Sequence, residues 1–226
     1  MNSLIDIFDV LNNHCNYTVL RNWECLQNES IYVSGHEDID ILCDSLEQFI
    51  SATNAKRIHK ENRRNNYIIT CNNSIVRFDV RWVGDGYYPI EMEKSILSHK
   101  KRESYFYIPS DIDYFYSLAY HAFFQKPKLT EDYWIKLNKA YNQLNNDNNT
   151  LSEESLLDEL FYYLGKNNIS VEYPSDPGVF LNHEIIHRAH IRRALGRQVY
   201  RAYFINKEII KHYVRRIFAA IIGKKS

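Results

Sequence analysis

No C-x-x-C pair links any of the four cysteines, Cys15, Cys25, Cys43 and Cys71, and the chain does not open with a basic segment followed by an apolar run. Both absences point to reduced thiols in a cytosolic protein rather than to disulfides. No stretch reaches the ~18 to 20 uninterrupted apolar residues that a membrane span needs, which leaves only peripheral membrane contact open. No internal repeat is present, and the one compositional bias is the Asn-rich run at 145–149. Net charge is also missing, but its absence conceals an asymmetry. From Asn182 onward eleven Lys and Arg face two Glu, a net of +9, so residues 1–181 carry −9. Such a basic arm has three readings: it docks on the acidic body of its own chain, it lines a cleft with phosphate ligands, or it leans on an anionic membrane surface. Nucleic-acid binding is not expected, since no recognisable module lies among these segments.

What is present suits one large domain or two small ones. At 226 residues, 45% of them apolar and 25% charged, the chain has the composition of an ordered globular protein. Tyr is abundant at 18, which suits an aromatic core and also ring or sugar stacking.

The most informative stretch is Ile31-Tyr-Val-Ser-Gly-His-Glu-Asp-Ile-Asp-Ile-Leu-Cys43. Asp38 and Asp40 alternate with Ile39 and Ile41, the pattern of a strand whose second-neighbour side chains share a face. Two carboxylates side by side repel one another, so they either face solvent or hold a cation, most simply a divalent metal. Ser45 or Asp44 caps a helix to about Ala55, Tyr67–Cys71 reads as a strand, and Ile75–Trp82 as another. In that last strand Arg77, Asp79 and Arg81 share one face and Val76, Phe78 and Val80 the other.

Elsewhere Ser3 caps a helix from Leu4 with Leu4, Ile5, Phe8 and Leu11 on one face, and Tyr17 opens a short strand that ends near Arg21 and Asn22. Gly84-Asp-Gly86 turns the chain, and Glu91–Lys101 reads as a helix. Further helices cover Asp111–Phe124, with Ile112 on its apolar face, Thr130–Leu144, and Ser152 to Leu164-Gly165; Pro174–Gly178 breaks the chain. From His183 the pattern is that of basic amphipathic helices.

The segments "SGHEDIDIL" and "VRFDVRW", with a helix between them, resemble the polymerase-β-type nucleotidyltransferase superfamily, in particular its small bacterial members linked to surface-polysaccharide synthesis. The likeness covers roughly residues 15 to 90 and implies an α/β fold: a small mixed sheet with helices over residues 1–108, then a helical domain, 109–181, and the basic arm, 182–226. It implies that Asp38, Asp40 and Asp79 hold Mg²⁺ or Mn²⁺, with Asp79 also taking the proton of an attacking hydroxyl. Family members carry a Gly-Ser pair on a turn several residues ahead of the aspartates. Here Ser34-Gly35 lies too close to Asp38, and Leu20-Arg-Asn-Trp23 occupies the corresponding place. Arg21 can substitute by charge, and Asn22, Ser34, Arg77 and Arg81 complete the candidates for binding a nucleotide-linked donor.

The implied function is transfer of a nucleotidyl or substituted phosphoryl group to a hydroxyl of a sugar or glycan precursor. Related branches move phosphocholine-like groups, act as antitoxins that modify a protein partner, or bind without catalysis. A competing motif, His183-Glu184-Ile185-Ile186-His187, matches the H-E-x-x-H of zinc peptidases, with His190 or Glu208 as third ligand. The arginines crowding that segment oppose a cation, and the sheet lies far upstream.

Overall fold

A computed structural model describes residues 3–28, 38–58, 66–71, 74–146, 148–176 and 178–188. Ser34, the first half of the aspartate stretch and the basic arm beyond Arg188, with its proposed partners, lie outside the described residues.

Serine caps set the helix starts. Ser3 accepts the Asp6 N–H ahead of α1 (Leu4–His14), and Ser45 accepts that of Gln48 ahead of α2 (Leu46–Thr53). Ser110 accepts from Asp113 at α4 (Asp111–Phe124), and Ser152 accepts from Ser155 at α6 (Glu153–Lys166). Each satisfies one of the donors that a first helical turn leaves open. Between them lie α3 (Ile90–Ser98), α5 (Glu131–Asn145) and, last, α7 (His183–Arg188).

Five strands form one mixed sheet: β1 (Tyr17–Val19), β2 (Asp38–Cys43), β3 (Lys56–Arg57), β4 (Asn66–Cys71) and β5 (Ser74–Trp82). Their order is β1-β2-β5-β4-β3, with β2 and β5 parallel and every other pair antiparallel. The parallel pair is central, and α2 with the β3–β4 hairpin makes the crossover. The fold is therefore mixed α/β, a small mixed sheet with seven helices among the described residues.

The two faces of the sheet belong to different cores. Ile39, Ile41, Val76, Phe78 and Val80 pack with Phe8, Leu11 and Phe49 of α1 and α2. Leu42 of β2 instead joins Tyr87, Tyr88, Met92 and the aromatic core of α4 to α6. Along β2 and β5 the period-two alternation thus sends Ile39, Ile41, Phe78 and Val80 to one layer and Asp38, Asp40, Asp79 and Arg81 toward the other.

Three details differ from the sequence expectation. Helix α3 stops at Ser98, and Lys101–Glu103 and Phe106–Ile108 pair as an antiparallel hairpin, β6 and β7, turning at Ser104 with φ +56°. Ile112 is 56% exposed. The first turn of α4 buries Asp113 instead, whose carboxylate accepts the hydroxyls of Ser110 and Ser95 at 2.6 and 2.7 Å. In α1 it is Ile7, not Ile5, that is fully buried. No helix among the described residues is long and apolar enough to cross a membrane.

Candidate functional site

Parallel pairing of β2 with β5 sets Asp40 directly opposite Asp79, and Asp38 opposite Arg77. Both strands run inward from a rim. On β2 exposure falls from Asp38 to half-buried Asp40 to buried Leu42; on β5 it falls from Arg77 to Asp79 to buried Arg81. The carboxylates therefore sit where the sheet passes from solvent into the body, at the wall of a cleft of about 390 Å³. Asp38, Asp40, Asp79, Arg21, Asn22 and Arg81 line that cleft, so most of the predicted site residues are brought together. Exposed Arg77 is not among the lining residues.

Each inner carboxylate has its own arginine. Arg21 grips Asp40 with two prongs, Nε to Oδ2 and Nη2 to Oδ1, both at 3.0 Å. Its guanidinium also donates to the hydroxyls of Tyr87 at 3.0 Å and Tyr88 at 3.4 Å. Arg81 donates through Nη2 to Asp79 Oδ2 at 2.9 Å and through Nη1 to Asp176 Oδ2 at 3.1 Å. Its guanidinium lies 4.3 Å from the centre of the Tyr87 ring, so this one tyrosine touches both arginines. Burial, with Asp79 and Asp38 nearby, pushes the Asp40 carboxyl above its ordinary range despite the Arg21 charge.

The turn that carries Tyr87 is built on two buried acids. Gly84 and Gly86 take φ of +90° and +75°, conformations open to glycine at little cost. Asp85 accepts the Tyr87 N–H at 2.7 Å, and Glu93 accepts the N–H groups of Gly84 at 2.7 Å and Tyr88 at 3.3 Å. Burial raises Asp85 to about 6, although Arg81 opposes it, and burial with the adjacent Asp85 raises Glu93 to about 8.

The opposite wall comes from α4, α5 and the loop before α7. Gln125 donates to the Tyr87 carbonyl through Nε2, so its Oε1, 2.8 Å from His121 Nδ1, must accept. That places the His121 proton on Nδ1, shared between Gln125 Oε1 and the Tyr87 hydroxyl at 2.9 Å, and leaves Nε2 to accept from the Tyr133 hydroxyl at 2.9 Å. Burial and the nearby Arg21 charge hold His121 well below its ordinary range, hence neutral. Lys126 also lines the cleft, and burial followed by Arg21 lowers its pKa. Asn22, at φ +57°, accepts from Lys136 at 3.2 Å and so ties the end of β1 to α5.

Sequence inspection missed Tyr87, His121, Gln125, Lys126, Tyr133 and Asp176. One signal was available: a histidine and a glutamine four residues apart in an otherwise apolar helix end. Of the H-E-x-x-H segment, His183 and Glu184 are exposed on α7, and the His187 side chain lies outside the described residues. Asp38, Asp40 and Asp79 carry the hard oxygen donors that divalent cations prefer, although among the described residues no group of three His, Cys, Asp or Glu is already arranged to hold one. Asp79 Oδ1 is buried with no hydrogen-bond partner among the described residues, so one of its two oxygens is uncommitted. No family model, curated protein or solved structure matches the chain.

Proposed function

We propose that the cleft transfers a nucleotidyl or substituted phosphoryl group from a nucleotide-linked donor to a hydroxyl on a sugar or glycan precursor. The observation that carries this is the alignment of Asp40 with Asp79 on adjacent parallel strands, with Asp38 at the rim, inside a cleft also lined by arginine and lysine. Asp38, Asp40 and Asp79 would hold Mg²⁺ or Mn²⁺, which supplies charge stabilisation for a phosphoryl displacement. Asp79 would also take the hydroxyl proton, either through Oδ1, which is unpartnered but buried, or through Oδ2 once Arg81 shifts from it. Tyr133, committed as a donor to His121, offers the cleft only its lone pairs and so suits a ligand hydroxyl. Lys126 meets an anionic group on the donor.

The resemblance to polymerase-β-type nucleotidyltransferases supports the same assignment. A thermal-shift screen of nucleotides and of cytidine- and sugar-linked donors, with and without Mg²⁺, tests it. Mg²⁺-dependent stabilisation should appear in the native protein and vanish in Asp38→Asn and Asp79→Asn; stabilisation unchanged in both variants refutes the assignment.

One observation favours a second reading, a binding module without turnover: both inner carboxylates are already neutralised by arginine. That reading expects ligand stabilisation with no product in a labelled-donor assay.

A further inference from the structure

The arginines of the cleft differ in what they leave open. Arg81 takes one oxygen of Asp79 and reaches away to Asp176, so Asp79 Oδ1 keeps no hydrogen-bond partner among the described residues. Arg21 takes both oxygens of Asp40 at 3.0 Å. A cation entering between Asp38, Asp40 and Asp79 therefore meets a fixed guanidinium on the middle carboxylate. Arg21 has little reason to leave alone, because its other partners are two neutral hydroxyls.

An anion changes this balance. Arg21 and Lys126 line the same cleft, and a phosphate oxygen is a two-pronged partner for guanidinium equal in kind to a carboxylate. If Arg21 turns to phosphate, Asp40 is released for the metal, and the metal in turn compensates Asp40. Neither ligand binds well without the other.

Resting on the metal reading proposed above, we infer that Arg21 is a built-in competitor of the divalent ion. It makes binding of the ion and of a phosphate-bearing ligand mutually dependent. The coupling is reciprocal by necessity: whatever factor phosphate adds to metal affinity, metal adds to phosphate affinity. The device protects the site from idle metal loading and makes Arg21, rather than a Gly-Ser turn, the element that senses the donor.

The test counts free Mn²⁺ by electron paramagnetic resonance over the full-length protein, with and without inorganic phosphate, against a protein-free control for Mn²⁺–phosphate association. In the native protein phosphate should tighten Mn²⁺ by about tenfold or more. In Arg21→Gln, Mn²⁺ alone should bind about tenfold tighter than in the native protein, and phosphate should add nothing. Arg21→Lys keeps the charge but loses the two-pronged grip, so it separates competition for oxygens from a change in net charge. It too should tighten Mn²⁺ in the absence of phosphate. Asp40→Asn gives the mirror result: Arg21 is freed, and phosphate binds more tightly without metal, as read by calorimetry.

Mn²⁺ affinities of Arg21→Gln and Arg21→Lys within twofold of the native protein, with phosphate coupling intact, overturn the inference while leaving the metal site standing. If neither the native protein nor Arg21→Gln takes up Mn²⁺ under any condition, the metal reading itself falls and the inference with it.

Discussion

Arg21 and Arg81 have nearly the same enclosure, their side chains 10% and 6% exposed, yet they are different kinds of ion pair. Arg81 serves two carboxylates, Asp79 and Asp176, that lie 97 positions apart in the chain, and so ties the loop before α7 to the centre of the sheet. Arg21 serves Asp40 alone, beside the cleft. Burying charge is costly unless it is compensated, and the cost of removing a partner grows with the number of charges left behind. Arg81 is therefore a structural tie, and Arg21 a local counter-ion at the cleft wall.

That contrast breaks most visibly at Arg81. Arg81→Met should destabilise the fold by about 3 to 5 kcal/mol, measured by urea unfolding, because Asp79 and the 3%-exposed Asp176 lose their shared counter-charge. A loss no larger than that of Arg21→Gln would erase the distinction.

Next in size is the pH response of the turn that holds Tyr87 against both arginines. Asp85 at about 6 and Glu93 at about 8 keep protons that the unfolded chain gives up near pH 4 to 4.5. The native state then binds more protons than the unfolded one across that window, so stability falls as pH rises. The contribution is fully present below about pH 4 and is lost as pH passes through 6 and 8. Unfolding midpoints measured from pH 5 to 9 should decline, and Glu93→Gln should flatten the decline; an unchanged slope in the variant would assign it elsewhere.

Arg21→Gln should cost less, about 1 to 2 kcal/mol by the same urea assay. Removing Arg21 strands one carboxylate rather than two, and the Asp40 side chain keeps 15% exposure at the cleft, where solvent offsets part of its charge. The smallest effect is expected at Phe180, which lines the cleft but is 46% exposed. Phe180→Ala should shift stability by no more than about 0.5 kcal/mol, and a larger loss would place that ring in the core rather than at the rim.

Much of the sheet was legible because strand patterning is local. Ile39 and Ile41 against Asp38 and Asp40, and Phe78 and Val80 against Asp79 and Arg81, announce which side chains share a face before any partner strand is known. The serine caps at Ser3, Ser45 and Ser152 are equally local signals. The hairpin at Lys101–Ile108 was not, since its three-residue strands are too short for alternation to declare itself. Ile112 misled for a related reason: helical period names a face, but the Ser95–Asp113–Ser110 cluster decided which side of the first turn was buried.

The site divides along the same line. The amino-acid sequence by itself determined that Asp38 and Asp40 point one way from one strand, and that Asp79 lies between two arginines on another. Only the tertiary structure decided that Asp40 stands opposite Asp79, because register between strands depends on how the crossover packs rather than on either strand alone. It also gave Arg21 to Asp40, Arg81 to Asp176, and Tyr133 to His121, pairings between residues from 12 to 95 positions apart. Charge and hydrogen-bond partners are chosen by proximity in space, and no local pattern encodes that distance.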